Sequence, residues 1–305
     1  MRTNYHRHSY KCRSWSEALE NFNINFKIQK VPLCIPETKC VVKNLFGLVR
    51  LDTGRPLEGV GVNSRYAVIQ TDRYNKIAEQ ITQKLSADFV NGGEFRDGKL
   101  IYVQAQLPGT VQLSSEHHLE KHILFLNSFD GSKNFTILPI LICSIGKSII
   151  HTAGKNCKDF EIKIKHTSNA LEKLHAPQQM HVTVRNAFEE FEEKIIQYLN
   201  TSFSVSQFEK LLLEMFCSSK DKSFAATSTA AKNQMEVCRA IYEGNKACAP
   251  YSGTLWGAYS ALVEYSDWRR SIKNKTDNFE SQLIGSSALF KHKLIEVLDT
   301  FSNIN

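Results

Sequence analysis

Between the apolar runs 124–126 and 135–143 stand six residues, Asn127-Ser128-Phe129-Asp130-Gly131-Ser132, that bring together an amide, two hydroxyls, a carboxylate and a glycine. A tight turn needs only a glycine and one or two small polar residues, so this density predicts either a site or a turn locked by its own side chains. In a locked turn, Asp130 and Ser132 accept hydrogen bonds from backbone amides within 127–134 and Gly131 takes a positive φ. A second set of chemical groups lies at Arg50-Leu51-Asp52-Thr53-Gly54. An arginine and an aspartate two apart on a strand share a face, which reads as a salt-bridged hairpin end. With Arg55, Arg65 and Arg73 the same region supplies the densest guanidinium cluster, and guanidinium groups offer planar, multi-donor contacts to phosphate. Arg50, Arg65, Arg73, Lys133 and Lys147 are therefore the expected nucleic-acid-binding residues. The alternative is an enzyme acting on nucleic acid or nucleotides, with a site around Asp52, Asn127, Asp130 and His166. No serine or cysteine partner for His166 announces itself.

Other groupings resolve into structure. Gly146-Lys147-Ser148 follows an apolar run, but a phosphate-wrapping loop needs a glycine at 141, which is leucine, so Lys147 reads as a basic residue at a helix start. Gly59-Val60-Gly61 lacks the third glycine of a dinucleotide fingerprint and reads as a turn or bulge. His117, His118, Glu120 and His122 are close together, yet side chains spaced along one strand are too splayed to hold one ion. An exposed loop leading into a strand is expected there. Cys143 reads as a buried thiol, with nothing nearby to depress its pKa. Glu189, Glu190, Glu192 and Glu193 form the solvated side of a helix whose Phe188, Phe191 and Ile195 face inward. Trp256, Tyr259, Tyr265 and Trp268 sit at helical spacing and read as core rather than as a base-stacking platform. No metal site and no cofactor is expected.

The elements that must position these residues change character along the chain. KCVVKNLFGLVRL, LEGVGV, YAVIQ, 100–107, 121–127, 134–143 and 159–165 read as strands. Among them lies one helix, TDRYNKIAEQITQKLSADF, capped by Thr71 or Asp72. After residue 166 the period becomes helical: 168–200 with Pro177 kinking or starting it, 206–216, 255–272 and 283–301. The Ala/Thr/Ser-rich 222–234 reads as a mobile loop. The expected fold is α+β, a mostly antiparallel sheet with one long covering helix, and a helical C-terminal half packed against it. The expected organisation is one continuous body: a basic arm at 1–23, a basic sheet-rich portion at 24–166 and a helical portion at 167–305.

Composition bounds the partners. The 305 residues include no run of eighteen apolar ones, so no membrane-spanning helix is expected. The first fifteen residues lack the apolar segment of a secretory signal. The eight cysteines are scattered without a CxxC pair, which fits reduced thiols in a cytoplasm. Charge is uneven. Residues 1–165 carry 23 Lys and Arg against 15 Asp and Glu, whereas 166–305 carry 15 against 16. A basic surface attracts polyanions, of which nucleic acid is the usual cytoplasmic one; the alternative is that net charge only keeps the chain soluble.

The chain resembles a phage- and plasmid-borne family defined as a domain of unknown function, number nine hundred and thirty-two. The resemblance rests on RLDTGRPLEGVGVNSRYAVIQ at 50–70, FLNSFDGSKNFTILPILICSIGKSI at 125–149, KHTSNALEKL at 165–174 and TLWGAYSALVEYSDWRRS at 254–271. It departs from the family pattern at Phe129, where a histidine is usual, and at Ser144-Ile145-Gly146. The resemblance implies residence on mobile elements among genes of DNA metabolism. The order of elements is similar in outline to phage single-strand annealing proteins, an analogy of fold that does not by itself carry function. Three expectations follow: a DNA-binding accessory of replication and recombination in a bacterial host cytoplasm, favouring single strands and able to form a homo-oligomer; the enzyme described above; or a structural or host-defence-interaction protein. The balance of residues is against an enzyme.

Overall fold

The computed structural model describes residues 11–151, 162–164, 177–217, 223–246, 248–270 and 275–302. Strands fill the first half: β1 (Ile28–Cys34), β2 (Val41–Arg50), β3 (Val62–Asn63), β4 (Asp88–Phe95), β5 (Leu100–Gln112), β6 (His118–Ser128), β7 (Phe135–Cys143), β8 (Ile149–His151) and β9 (Ile162–Ile164). One helix precedes them, α1 (Trp15–Asn21), and another, α2 (Asn75–Lys84), lies among them. Six follow: α3 (Pro177–Asn200), α4 (Val205–Phe216), α5 (Thr229–Gly244), α6 (Leu255–Glu264), α7 (Lys275–Ile284) and α8 (Ser286–Ser302). The fold is α+β with antiparallel sheets and a helical C-terminal half, as the change of period predicts. One sheet has the order β1-β2-β3; the larger has β4-β5-β6-β7-β8, with β9 also on β7.

The chain divides into two compact units. The first takes in the chain to Pro108, His122–Pro139, β9 and α3 as far as Arg185; the second takes in Gly109–Lys121, the chain from Ile140 through β8, and the chain from Asn186. In the first unit, Trp15 packs edge-on against Phe89 and Phe125, and Tyr74 stacks on Phe135 with centroids 3.6 Å apart. In the second, every residue of α6 except Ser260 is buried, and α8 lies against β8.

Several local expectations are corrected. Trp15–Asn21, inside the segment expected to be a basic arm, is a helix capped by Ser14, with Trp15, Ala18 and Leu19 buried. YAVIQ is not a strand; the Gln70 side chain instead bonds both the amide and the carbonyl of Ile28. The first turn of the expected long helix is a 3₁₀ turn, Thr71–Tyr74, preceded by Gln70 without a capping bond. Asp72 pairs with Lys27 instead of capping, at 2.7 Å. Within 222–234 there is no long loop among the described residues: Ser228 caps α5 by accepting from Ala231. Gly146-Lys147 starts no helix; both residues have positive φ, 84° and 57°, and turn β7 into β8. Helix 255–272 is α-helical only to Glu264 and continues as a π-helix, Tyr265–Arg269. Helix 283–301 is two helices, broken at Gly285.

Candidate functional site

The polar turn between β6 and β7 is locked by its own groups. The Ser128 hydroxyl donates to Asp130 Oδ1 at 2.6 Å, and the Ser132 amide donates to the same oxygen at 2.9 Å. The second amide bond runs from Lys133 to Ser128 Oγ at 3.2 Å, so Ser128 takes the part expected of Ser132. Gly131 has the expected positive φ, 74°. Burial raises the pKa of Asp130, but hydrogen bonds from Ser128 and Ser132 outweigh it and hold the carboxyl below its ordinary value. Phe129 is wholly buried and packs on Phe26. Its ring, where the resemblance leads one to expect a histidine, serves the core.

A loop after β3 meets this turn. The Asn63 side chain accepts from the amides of Arg65 and Tyr66 at 2.9 and 3.1 Å, an Asx-type turn. The Lys30 ammonium donates to the carbonyls of Asn63, Ser64 and Tyr66 at 3.1, 2.9 and 3.0 Å, and lies 4.6 Å from the centre of the Phe46 ring. The Tyr66 hydroxyl donates to the Phe129 carbonyl at 2.8 Å. Burial, with the nearby Asp130 charge, pushes its pKa up to about 12. Arg65 and Lys133, one on the loop and one on the turn, are both exposed. Asn127 is 2% exposed, and neither atom of its amide has a partner among the described residues.

The expected basic residues fare differently. Arg65, Arg73 and Lys133 are exposed on the first unit and belong to no ion pair among the described residues. Arg50 is drawn into the fold. Its guanidinium bonds both oxygens of Asp52 at 3.1 and 2.8 Å, reaches Glu94 at 2.7 Å and lies over the Phe26 ring. The Arg50 hydrogen bonds hold the Asp52 carboxyl below its ordinary value. Lys147 belongs to the second unit, 3.4 Å from Glu120. His166 lies outside the described residues.

A bend at 113–116, exposed at 114–116, leads into β6 as expected, but the histidines themselves are not exposed. His117 is buried and shares a hydrogen bond with the Tyr251 hydroxyl at 3.0 Å; His122 is buried and accepts from Gln104 at 3.0 Å. Among the described residues, no three His, Cys, Asp or Glu are grouped to hold a metal ion. Cys143 is half-buried and lines a pocket with His117, Ser148, Cys248, Trp256 and Glu264 in the second unit. Trp256, Tyr259 and Tyr265 are core, as their spacing predicts. Deeper in that unit, Asp267 and Lys291 are wholly buried and paired at 2.9 Å. The Ile149 amide and the Ser287 hydroxyl also donate to Asp267.

Sequence reasoning overlooked Lys30, Asn63 and Tyr66 as site residues. An Asn preceding Ser-Arg-Tyr is an Asx-turn composition and offered a signal. Lys30 gave none, because its partners lie more than thirty residues away.

Among the described residues, no helix is long and apolar enough to cross a membrane. No curated protein and no solved structure matches the chain. One family model, described as Domain of unknown function (DUF932), matches residues 60–284, and the chain belongs to that family.

Proposed function

We propose that this chain is a DNA-binding accessory protein of phage or plasmid replication and recombination, acting in a bacterial cytoplasm and gripping single strands by their phosphates, with strand annealing by a homo-oligomer as its role. The observation that carries the reading is the state of Arg65, Arg73 and Lys133: exposed, and free of carboxylate partners among the described residues. A cation already neutralised by the fold, like Arg50, has little attraction left to offer. One that is not can release a counterion from the nucleic acid and gain affinity. Fluorescence anisotropy with a labelled oligonucleotide, single- and double-stranded, at about 50 and 200 mM salt tests it. Tighter binding of the single strand, weakening as salt rises, is expected. No binding of either form at the lower salt overturns the reading.

Asn127 favours a second reading, an enzyme on nucleic acid or nucleotides, because a buried amide without partners is what a substrate group would satisfy. Metal-dependent turnover of DNA or nucleotides, lost in Asp130→Ala, would establish it. Turnover that survives that substitution would remove Asp130 from the site.

A further inference from the structure

We infer that Arg65 and Lys133 form one composite contact for a phosphodiester backbone, and that Lys30, which does not touch the strand, is the positioning residue that fixes it; this rests on the DNA-binding reading above. Six hydrogen bonds in and around the 63–66 loop carry the inference. Asn63 fixes the amides of Arg65 and Tyr66. Lys30 gathers the carbonyls of Asn63, Ser64 and Tyr66 onto one ammonium. The Tyr66 hydroxyl ties the loop to the Phe129 carbonyl. Gly131 completes the join: a Cβ there would stand 3.6 Å from Tyr66 Cε2, so turn and ring are in near contact. Arg65 therefore springs from the residue before the tie, and Lys133 from a turn whose amide at 133 is itself bound to Ser128. Two long, exposed cations normally lose much of their binding energy to side-chain and loop ordering. Here the backbone beneath both is already ordered.

The arrangement also explains why a lysine stands at position 30. Three carbonyls converging without a cation would repel one another, and an ammonium has three donors to satisfy them. All three of its protons are committed, so Lys30 has none left for a phosphate.

The test is a double-mutant cycle on binding to oligodeoxythymidylate of about twenty nucleotides at low salt, with the melting midpoint followed in parallel. Arg65→Ala is expected to weaken binding several-fold and to shallow the salt dependence by about 0.7 in the log–log slope. Lys30→Met is expected to weaken binding several-fold in the wild-type background and less than about twofold in the Arg65→Ala background, while its effect on the melting midpoint is the same in both. Equal weakening in the two backgrounds would show that Lys30 acts directly or through general stability, and the inference would fall while DNA binding stood. A wild-type chain that does not bind the oligonucleotide would remove the DNA-binding reading itself.

Discussion

Buried charge sets the sharpest consequences at the scale of single residues. Lys291 donates to Asp267, to the Ile149 carbonyl and to the Gln282 carbonyl, with no exposure to water. Burial lowers its pKa against the attraction of Asp267. Removing one partner leaves the other charge uncompensated in a dry site, so Lys291→Met or Asp267→Asn should each cost about 3–5 kcal/mol by urea denaturation. The double substitution should cost clearly less than the sum, because neither charge then remains. His151 lies beside this pair. Its Nε2 is 2.8 Å from the Gln282 carbonyl, its ring faces His292, and burial and the Lys291 charge hold its pKa well below 6.5. The unfolded chain therefore takes up that proton first. The stability that neutral His151 contributes is intact above pH 6.5 and is lost as pH falls below it. Denaturation at a series of pH values should show this loss in the wild type and a flatter profile in His151→Phe. Gly131→Ala should cost about 1 kcal/mol, because a Cβ is strained at its φ of 74°.

Elements reveal which parts of the chain its sequence can announce. Strands β5, β6 and β7 are nine or more residues long and each carries a clear apolar run, so they are legible. Helix α1 has seven residues, so its buried Trp15, Ala18 and Leu19 span barely more than one turn of periodicity, and the flanking Lys11 and Arg13 make it read as an arm. Helix α5 opens in Thr229, Ala230, Ala231 and Lys232, where the small Ala231 is the sole buried residue, and the large members of its buried side, Met235, Cys238, Ile241 and Tyr242, come only later. The locked turn was legible from Asp130 and Gly131, whereas the Lys30 clasp was not, because it depends on how β1 and the loop after β3 are brought together. Close approach of elements is tested at glycines. A Cβ at Gly92 of β4 would lie 2.4 Å from the Phe22 ring that ends α1, so Gly92→Ala must push α1 from its strand. A loss of about 1–3 kcal/mol in the melting or urea midpoint is expected. Gly244→Ala, where nothing lies within 4 Å, serves as the control and should cost little.

For the whole molecule, charge is the property that reaches furthest, and its distribution decides what salt should do. The net excess lies in residues 1–165. Part of it is consumed within the fold, by Lys27 with Asp72, Arg50 with Asp52 and Glu94, and Lys30 with carbonyls. Arg65, Arg73 and Lys133 keep theirs. If those three neutralise three phosphates of a single strand, the log–log slope of affinity against salt should be about −2, since each contact contributes about −0.7. Raising salt fourfold should then weaken binding about twentyfold. Arg65→Ala, Arg73→Ala and Lys133→Ala together should bring the slope close to zero. Lys147→Ala should leave it nearly unchanged, because that ammonium already faces Glu120. Titration of a fluorescent single strand at several salt concentrations separates these outcomes. A slope far steeper than −2 that persists in the triple variant would mean that other cations of the first 165 residues carry the contact. A slope near zero in the wild type would mean that its net charge meets no phosphate backbone.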